Sequence, residues 1–142
     1  MADAPSLPPP TPLGLTPYLT IRGGHGEEAV AFYAKAFGAT ELFRNMAEDG
    51  KRFMHGRLLI AGTVVFFSDD FPEFRGGVEA PAPGGIGLHL QVDDADAWAK
   101  RAVEAGAEIT MPLSDMFWGD RYGQVRDPFG HSWSIGGTLK TA

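Results

Sequence analysis

Apolar and polar residues alternate along the chain in two kinds of pattern, one typical of helices and one typical of strands. The same order of strand and helix patterns occurs twice. Apolar residues spaced three and four positions apart predict helices over 27–37 and 95–105, the second with Asp94 as N-cap. Runs rich in strand-forming residues and bounded by glycine turns predict strands. These strands span residues 17–22, 40–46, 52–60, 63–68, 87–92, 108–111, 123–127 and 131–136. The chain therefore contains two series of one strand, one helix and three strands.

Glycines mark equivalent points in the two series. Gly38 and Gly106 each end a predicted helix and are 68 residues apart, as are Gly62 and Gly130, which precede the last strand of each series. Because one such series has a single amphipathic helix and a sheet with one wet face, two of them must pair to bury enough apolar surface. We predict an α+β fold of two tandem β-α-β-β-β modules. The alternative is two unrelated α+β halves whose glycines coincide.

The predicted elements divide the chain into five segments. Residues 1–13 hold five of the eleven prolines without periodicity, which predicts a disordered, proline-rich arm. The first module covers 14–68 and the second covers 86–137. An acidic, glycine-rich connection over 69–85 separates the modules, and residues 138–142 form a tail.

Composition narrows the classes of function. With 44% hydrophobic and 21% charged residues among 142, the chain can bury a core, which excludes wholesale disorder. A net charge of −6 repels phosphate backbones and anionic membranes, so we expect neither nucleic acid nor a membrane as a partner. The absence of cysteine excludes disulfides and thiolate chemistry. The longest nearly apolar run, 58–67, is about half of a membrane-spanning helix, and we expect a cytoplasmic protein.

Two segments resemble a known superfamily. The first reads EAVAFYAKAFG at residues 28–38, and the second reads FWGDRYGQVRDPFGHSW at residues 117–133. Together with the tandem modules, they resemble the vicinal oxygen chelate superfamily of glyoxalase I, bleomycin-resistance proteins and extradiol dioxygenases. The second segment is similar to its PhnB-like branch. The resemblance, over residues 15–137, implies a mixed sheet that curls around a cavity, and a homodimer.

The resemblance also implies four metal-ligand positions, one on the first and one on the last strand of each module. Carried over to this sequence, the positions fall on Tyr18, Phe66, Gly87 and Ser134. None of them supplies the imidazole or carboxylate donors that a catalytic divalent ion needs, so we expect no metal and no other cofactor. A metal held by His55 and His89 is the alternative.

The side chains expected on the cavity wall are mostly aromatic rings and imidazoles. We predict that a small-molecule ligand contacts Tyr18, His55, Phe66, His89, Gln91, Trp118, Tyr122 and Ser134. Rings offer a planar ligand a large contact area, and His89 is the best-placed candidate for acid–base chemistry. For Phe66 and Trp133, packing against the helices is the alternative role.

Three functions are compatible with this pattern, and the sequence leaves open whether the protein is an enzyme. The favoured one is a metal-free small-molecule-binding protein of the glyoxalase/bleomycin resistance type that sequesters an antibiotic or an aromatic metabolite. The second is a metal-dependent lyase, isomerase or dioxygenase of the same superfamily. The third is a scaffold domain with a vestigial pocket. The first is favoured because the implied metal positions carry poor ligands.

Overall fold

The computed structural model describes residues 7–140, which contain two α-helices and eight strands. In chain order the elements are β1 (Tyr18–Ile21), α1 (Gly26–Phe37), β2 (Thr40–Met46), β3 (Phe53–Ile60), β4 (Thr63–Asp69), β5 (Gly87–Gln91), α2 (Ala95–Ala105), β6 (Glu108–Asp115), β7 (Asp120–Arg126) and β8 (Ser132–Thr138). The prediction of an α+β fold with two tandem β-α-β-β-β modules is confirmed.

Each module forms its own four-stranded mixed sheet, with strand orders β1-β4-β3-β2 and β5-β8-β7-β6. The first strand of each module runs parallel to the last, and the other pairs are antiparallel. The eight strands therefore make two four-stranded sheets, one in each module. The described residues divide into two compact units: one holds 7–31 together with 39–80, and the other holds 32–38 and 81–140.

The sheet of the first unit has one buried face and one face that carries polar and aromatic groups. Leu58 and Phe67 are almost fully buried on the core face. The Phe67 ring lies directly over Gly56, where an added Cβ would come within 2.3 Å of it. Because side chains alternate along a strand, the neighbouring residues Arg57 and Phe66 point to the opposite face. The packing of the core thus decides which residues reach the other face.

The core of the second unit includes the C-terminal half of α1. Phe37 and Tyr33 pack against Trp133, with ring centroids 4.8 and 5.7 Å apart. Trp133 is 2% exposed, and its indole nitrogen donates a hydrogen bond to Asp127. Of the two roles left open for Trp133, the structure therefore shows packing against a helix.

The predicted element boundaries agree with the structure to within two residues except in one hairpin. The predicted strands 108–111 and 123–127 correspond to the longer β6 and β7. The first prediction stopped before Pro112, which lies inside β6 because β6 is an edge strand whose register with β7 shifts between Met111 and Ser114, and proline is tolerated at edges and bulges. Asp94 caps α2 as predicted, since its carboxylate accepts a hydrogen bond from the Ala97 amide at 3.1 Å.

Residues 7–13, the described part of the predicted arm, have no regular secondary structure. The remainder of that prediction, residues 1–6, lies outside the described residues, as does the end of the predicted tail at 141–142. In the range 7–140 no helix is both long and apolar enough to cross a bilayer.

Candidate functional site

A cluster of four side chains lies on the polar face of the first sheet. This Tyr18 cluster consists of Tyr18 on β1, His55 and Arg57 on β3, and Phe66 on β4. The Phe66 ring lies edge-on to Tyr18 and His55, with centroids 5.7 and 4.9 Å apart. Three of the predicted ligand contacts thus touch one another, while Tyr18 itself stays 55% exposed.

The hydrogen bonds of this cluster define which nitrogen of His55 carries the proton. The Arg57 Nε–H donates to His55 Nε2 at 3.0 Å, so Nε2 is an acceptor. The proton of the neutral ring therefore sits on Nδ1, which lies 2.9 Å from the Tyr18 hydroxyl and donates to its oxygen. The Tyr18 O–H proton is consequently available to a ligand. Burial and, secondly, the charge of Arg57 lower the pKa of His55, which keeps the ring neutral.

Arg57 is a member of the Tyr18 cluster that sequence reasoning missed. Its guanidinium lies 4.6 Å from the centre of the Phe66 ring and is only 6% exposed. Besides His55, it donates to the carbonyl oxygen of Pro9 at 2.7 Å and to Thr11 Oγ1 at 3.1 Å. A signal existed in the sequence, because residues two apart on a strand share a face and Arg57 follows His55 by two.

The second sheet carries its own cluster on the face opposite its core. This His89 cluster consists of His89, Gln91, Trp118, Tyr122 and Ser134, all of them predicted ligand contacts. Tyr122 stacks on His89 with centroids 6.0 Å apart, and Trp118 lies edge-on to Tyr122 at 5.6 Å. The structure therefore places all eight predicted contacts in two clusters, one in each unit.

Both ring nitrogens of His89 are engaged by neighbours in its own unit. The Gln91 amide nitrogen donates to Asp120 at 3.4 Å, which leaves its oxygen to accept from His89 Nε2 at 2.8 Å. His89 Nδ1 then accepts the hydroxyl proton of Ser134 at 2.6 Å. A hydrogen-bonded chain thus runs from Ser134 through His89 and Gln91 to Asp120. Sequence reasoning did not find Asp120 as the end of this chain.

The strand register corrects one of the four carried-over positions. Tyr18 lies opposite Phe66 in the β1–β4 pair. In the β5–β8 pair, Ser134 lies opposite His89, whereas Gly87 lies opposite Ser132. His89, not Gly87, therefore corresponds to Tyr18, and the placement at Gly87 was two residues too early.

With this correction, each module presents one tyrosine and one histidine, and the two residues occupy exchanged positions in the two modules. Arg57 lies opposite Phe66, and Gln124 lies opposite Ser134, so the residues two before them correspond as well. His55 therefore corresponds to Tyr122, just as Tyr18 corresponds to His89. Each sheet combines one phenol and one imidazole.

The donor chemistry does not fit the divalent metal centre that the resemblance implies. The corrected positions Tyr18, Phe66, His89 and Ser134 offer a phenol, a phenyl ring, an imidazole and a hydroxyl. The single imidazole already uses both nitrogens within the protein. Over residues 7–140, no three His, Cys, Asp or Glu side chains come together as a set that could hold an ion. A divalent centre needs several imidazole or carboxylate ligands, and these residues do not supply them.

Comparison with known proteins gives one family and several relatives. The family model of the Glyoxalase/Bleomycin resistance protein/Dioxygenase superfamily matches residues 16–135. An uncharacterized protein of Mycobacterium bovis is 44% identical over 127 residues, which cover 86% of this chain and 81% of that protein.

Two solved structures share the fold over most of their length. The structure of an Arabidopsis thaliana gene product has a TM-score of 0.69 at 26% identity and covers 88% of this chain and 98% of its own. A glyoxalase-related enzyme from Fulvimarina pelagi has a TM-score of 0.67 at 25% identity, with 89% of each chain covered.

Proposed function

The chain belongs to the Glyoxalase/Bleomycin resistance protein/Dioxygenase superfamily, and within it we propose a metal-free small-molecule-binding protein that sequesters a planar aromatic guest, either an antibiotic or an aromatic metabolite. Each of the two clusters, taken by itself, is a proposed contact surface for such a guest.

The observation that carries the proposal is the arrangement around Tyr18. A phenol that is 55% exposed stands beside the Phe66 ring, and the hydrogen bond from His55 leaves its O–H proton to donate outward. A flat apolar surface with one directed donor matches a ring that carries a polar substituent. The His89 cluster adds stacked Tyr122 and His89 rings of the same character.

Binding of 2-naphthol, a neutral planar probe, tests this function. We expect NMR amide shifts to concentrate in the Tyr18 and His89 clusters. Tyr18→Leu removes a ring and a hydroxyl, so it should weaken binding roughly 10- to 100-fold, the equivalent of about 1.5–3 kcal/mol. Phe74→Leu is the matched control, because Phe74 is a ring outside both clusters with 71% exposure.

Dialysis against EDTA before the same titration separates the candidate functions. We expect an unchanged affinity. An affinity that disappears with the metal and returns with zinc or manganese would indicate the metal-dependent enzyme instead. NMR shifts confined to residues outside both clusters would contradict the binding function and favour the scaffold function.

We further propose that the protein is a cytoplasmic homodimer of the PhnB-like branch. The motif at 117–133 supports the branch, and the lack of cysteine fits a reducing compartment. The edge strands β2 and β6 leave hydrogen-bonding edges in both sheets. Light scattering at micromolar concentration should give twice the chain mass of 15.2 kDa, and a value near 15.2 kDa would contradict the dimer.

A further inference from the structure

Arg57 is a buried cation whose charge has no negative partner among residues 7–140. It is the one basic residue in this range that is buried, at 6% exposure. Its three acceptors are all neutral: an imidazole nitrogen, a main-chain carbonyl and a threonine hydroxyl. In contrast, Arg44 on β2 and Arg52 just before β3 are each bonded to two carboxylates. A buried charge without a counter-charge is costly, and an anion that arrives from outside would remove that cost.

The two terminal nitrogens of Arg57 each donate a hydrogen bond to one oxygen. Nη1 donates to Pro9 O at 2.7 Å, and Nη2 donates to Thr11 Oγ1 at 3.1 Å. One oxygen on each terminal nitrogen is the two-point arrangement in which a guanidinium binds a carboxylate. The hydrogen bond from Nε to His55 and the Phe66 ring at 4.6 Å hold the guanidinium in place.

The segment that supplies these two oxygens is replaceable. Residues 7–12 have no regular secondary structure, so no strand or helix must break when Pro9 and Thr11 leave Arg57. A carboxylate offers two charged acceptors for the two neutral ones, and hydrogen bonds between charged partners are about twice as strong as neutral ones.

We propose that Arg57 is the anion-binding residue of this protein, and that its ligand is an aromatic carboxylate whose two oxygens replace Pro9 O and Thr11 Oγ1 while its ring contacts Phe66 and Tyr18. The inference rests on the proposed small-molecule binding, for which it names the chemical class of the ligand. Binding displaces the segment 7–12 from the sheet.

Comparison of 2-naphthoate with 2-naphthamide tests the proposal, because the two probes share a ring system and differ in charge. We expect the full-length protein to bind naphthoate roughly tenfold or more tightly than naphthamide. Arg57→Met should abolish this preference while naphthamide still binds. Arg57→Lys keeps the charge but loses the two-point geometry, so it should retain only part of the preference. Arg126→Met is the control, since Arg126 is an exposed residue paired with Glu108, and it should behave as the wild type.

A measurement on the wild-type protein tests the proposal even if the variants do not fold. Naphthoate should shift the NMR amide signals of Thr11 and Leu13, and naphthamide should not. Equal affinity of the wild type for both probes, or equal shifts in the arm, would overturn the role of Arg57 but leave the proposed binding function standing. Failure of both probes to bind would overturn that function and this inference together.

Discussion

Replacement of Asp127 by alanine should lower the free energy of unfolding by about 3 kcal/mol, because several buried donors lose their acceptor at once. Asp127 is 3% exposed. Its carboxylate accepts hydrogen bonds from the Tyr33 hydroxyl, from the Trp133 indole at 2.9 Å, and from the amides of Phe129 and His131 at 2.9 and 3.0 Å. The turn at residues 127–130 is thereby joined to α1 and to β8.

This carboxylate attaches the C-terminal half of α1 to the second sheet. Tyr33 lies on α1, while Trp133 lies on β8, and Asp127 bonds to both. Burial and then the negative charge of Asp127 raise the pKa of Tyr33 well above its usual value, so the phenol stays protonated and remains a donor. The loss of Asp127 thus removes an anchor between sequence-distant segments as well as a turn.

Thermal unfolding followed by circular dichroism measures the effect of Asp127→Ala. The expected decrease in melting temperature is roughly 10 °C for a chain of this length. Tyr33→Phe removes one of the donors and should cost less, about 1 kcal/mol. Glu104→Ala, on the exposed side of α2, is the control and should change stability by less than about 0.5 kcal/mol. A melting temperature of Asp127→Ala equal to that of this control would contradict the anchoring role.

Arg57→Met should raise the pKa of His55, which is the second large effect we expect. Burial and then the positive charge of Arg57 hold this pKa below its ordinary value of 6.5. The substitution removes the charge and the hydrogen bond to Nε2, but it leaves the ring on the same sheet face. The pKa should therefore rise yet stay below 6.5, because burial is the larger cause and persists.

The same substitution should change how stability depends on pH. Since the folded-state pKa of His55 lies below the unfolded value, the unfolded chain takes up the proton first as the pH falls. The stability contributed by the neutral ring is complete above the unfolded value and is lost as the pH falls from 6.5 toward the folded pKa. In Arg57→Met the folded-state and unfolded-state pKa values of His55 are closer to each other. The contribution of His55 to the loss of stability at low pH should therefore be smaller.

NMR titration of the His55 ring protons between pH 4 and 8 measures the folded-state pKa of His55 in the wild type and in Arg57→Met. Arg126→Met serves again as the control, because it removes an arginine from the second unit and leaves the Tyr18 cluster unaltered. The NMR amide signal of Thr11 should also shift in Arg57→Met, since the segment 7–12 loses two hydrogen bonds. A His55 pKa that is unchanged or lower would show that Arg57 does not act on the ring.

The sequence predicted the order of the elements because the signals for them are local. Apolar spacing marks α1 and α2, and Gly38 and Gly106 end them with φ angles of +66° and +124°, which glycine adopts without strain. The β6–β7 hairpin was underestimated for a reason that is not local. A proline such as Pro112 disrupts a central strand but is tolerated in an edge strand. Only the order of the strands in the sheet shows that β6 is an edge strand.

The sequence predicted which residues of the candidate site share a sheet face, but it did not predict how the paired strands are aligned. Gly87 and His89 are two residues apart on β5, so the period of a strand puts both on the same face. Only the hydrogen bonds to β8 place His89 opposite Ser134. Sequence alone could not choose between them, because sliding a strand by two residues preserves its pattern of inward and outward side chains.

The amino-acid sequence by itself determined the two modules, the element order and the set of aromatic and imidazole side chains that share a sheet face, since each depends on periodicity over neighbouring residues. The tertiary structure alone decided that His89 stands in the position of Tyr18, that Trp133 packs in the core and that Arg57 bonds to Pro9 and Thr11. Those contacts join segments far apart in the chain, from 48 residues for Arg57 and Pro9 to 100 residues for Tyr33 and Trp133, and no local pattern records which distant atoms will come together.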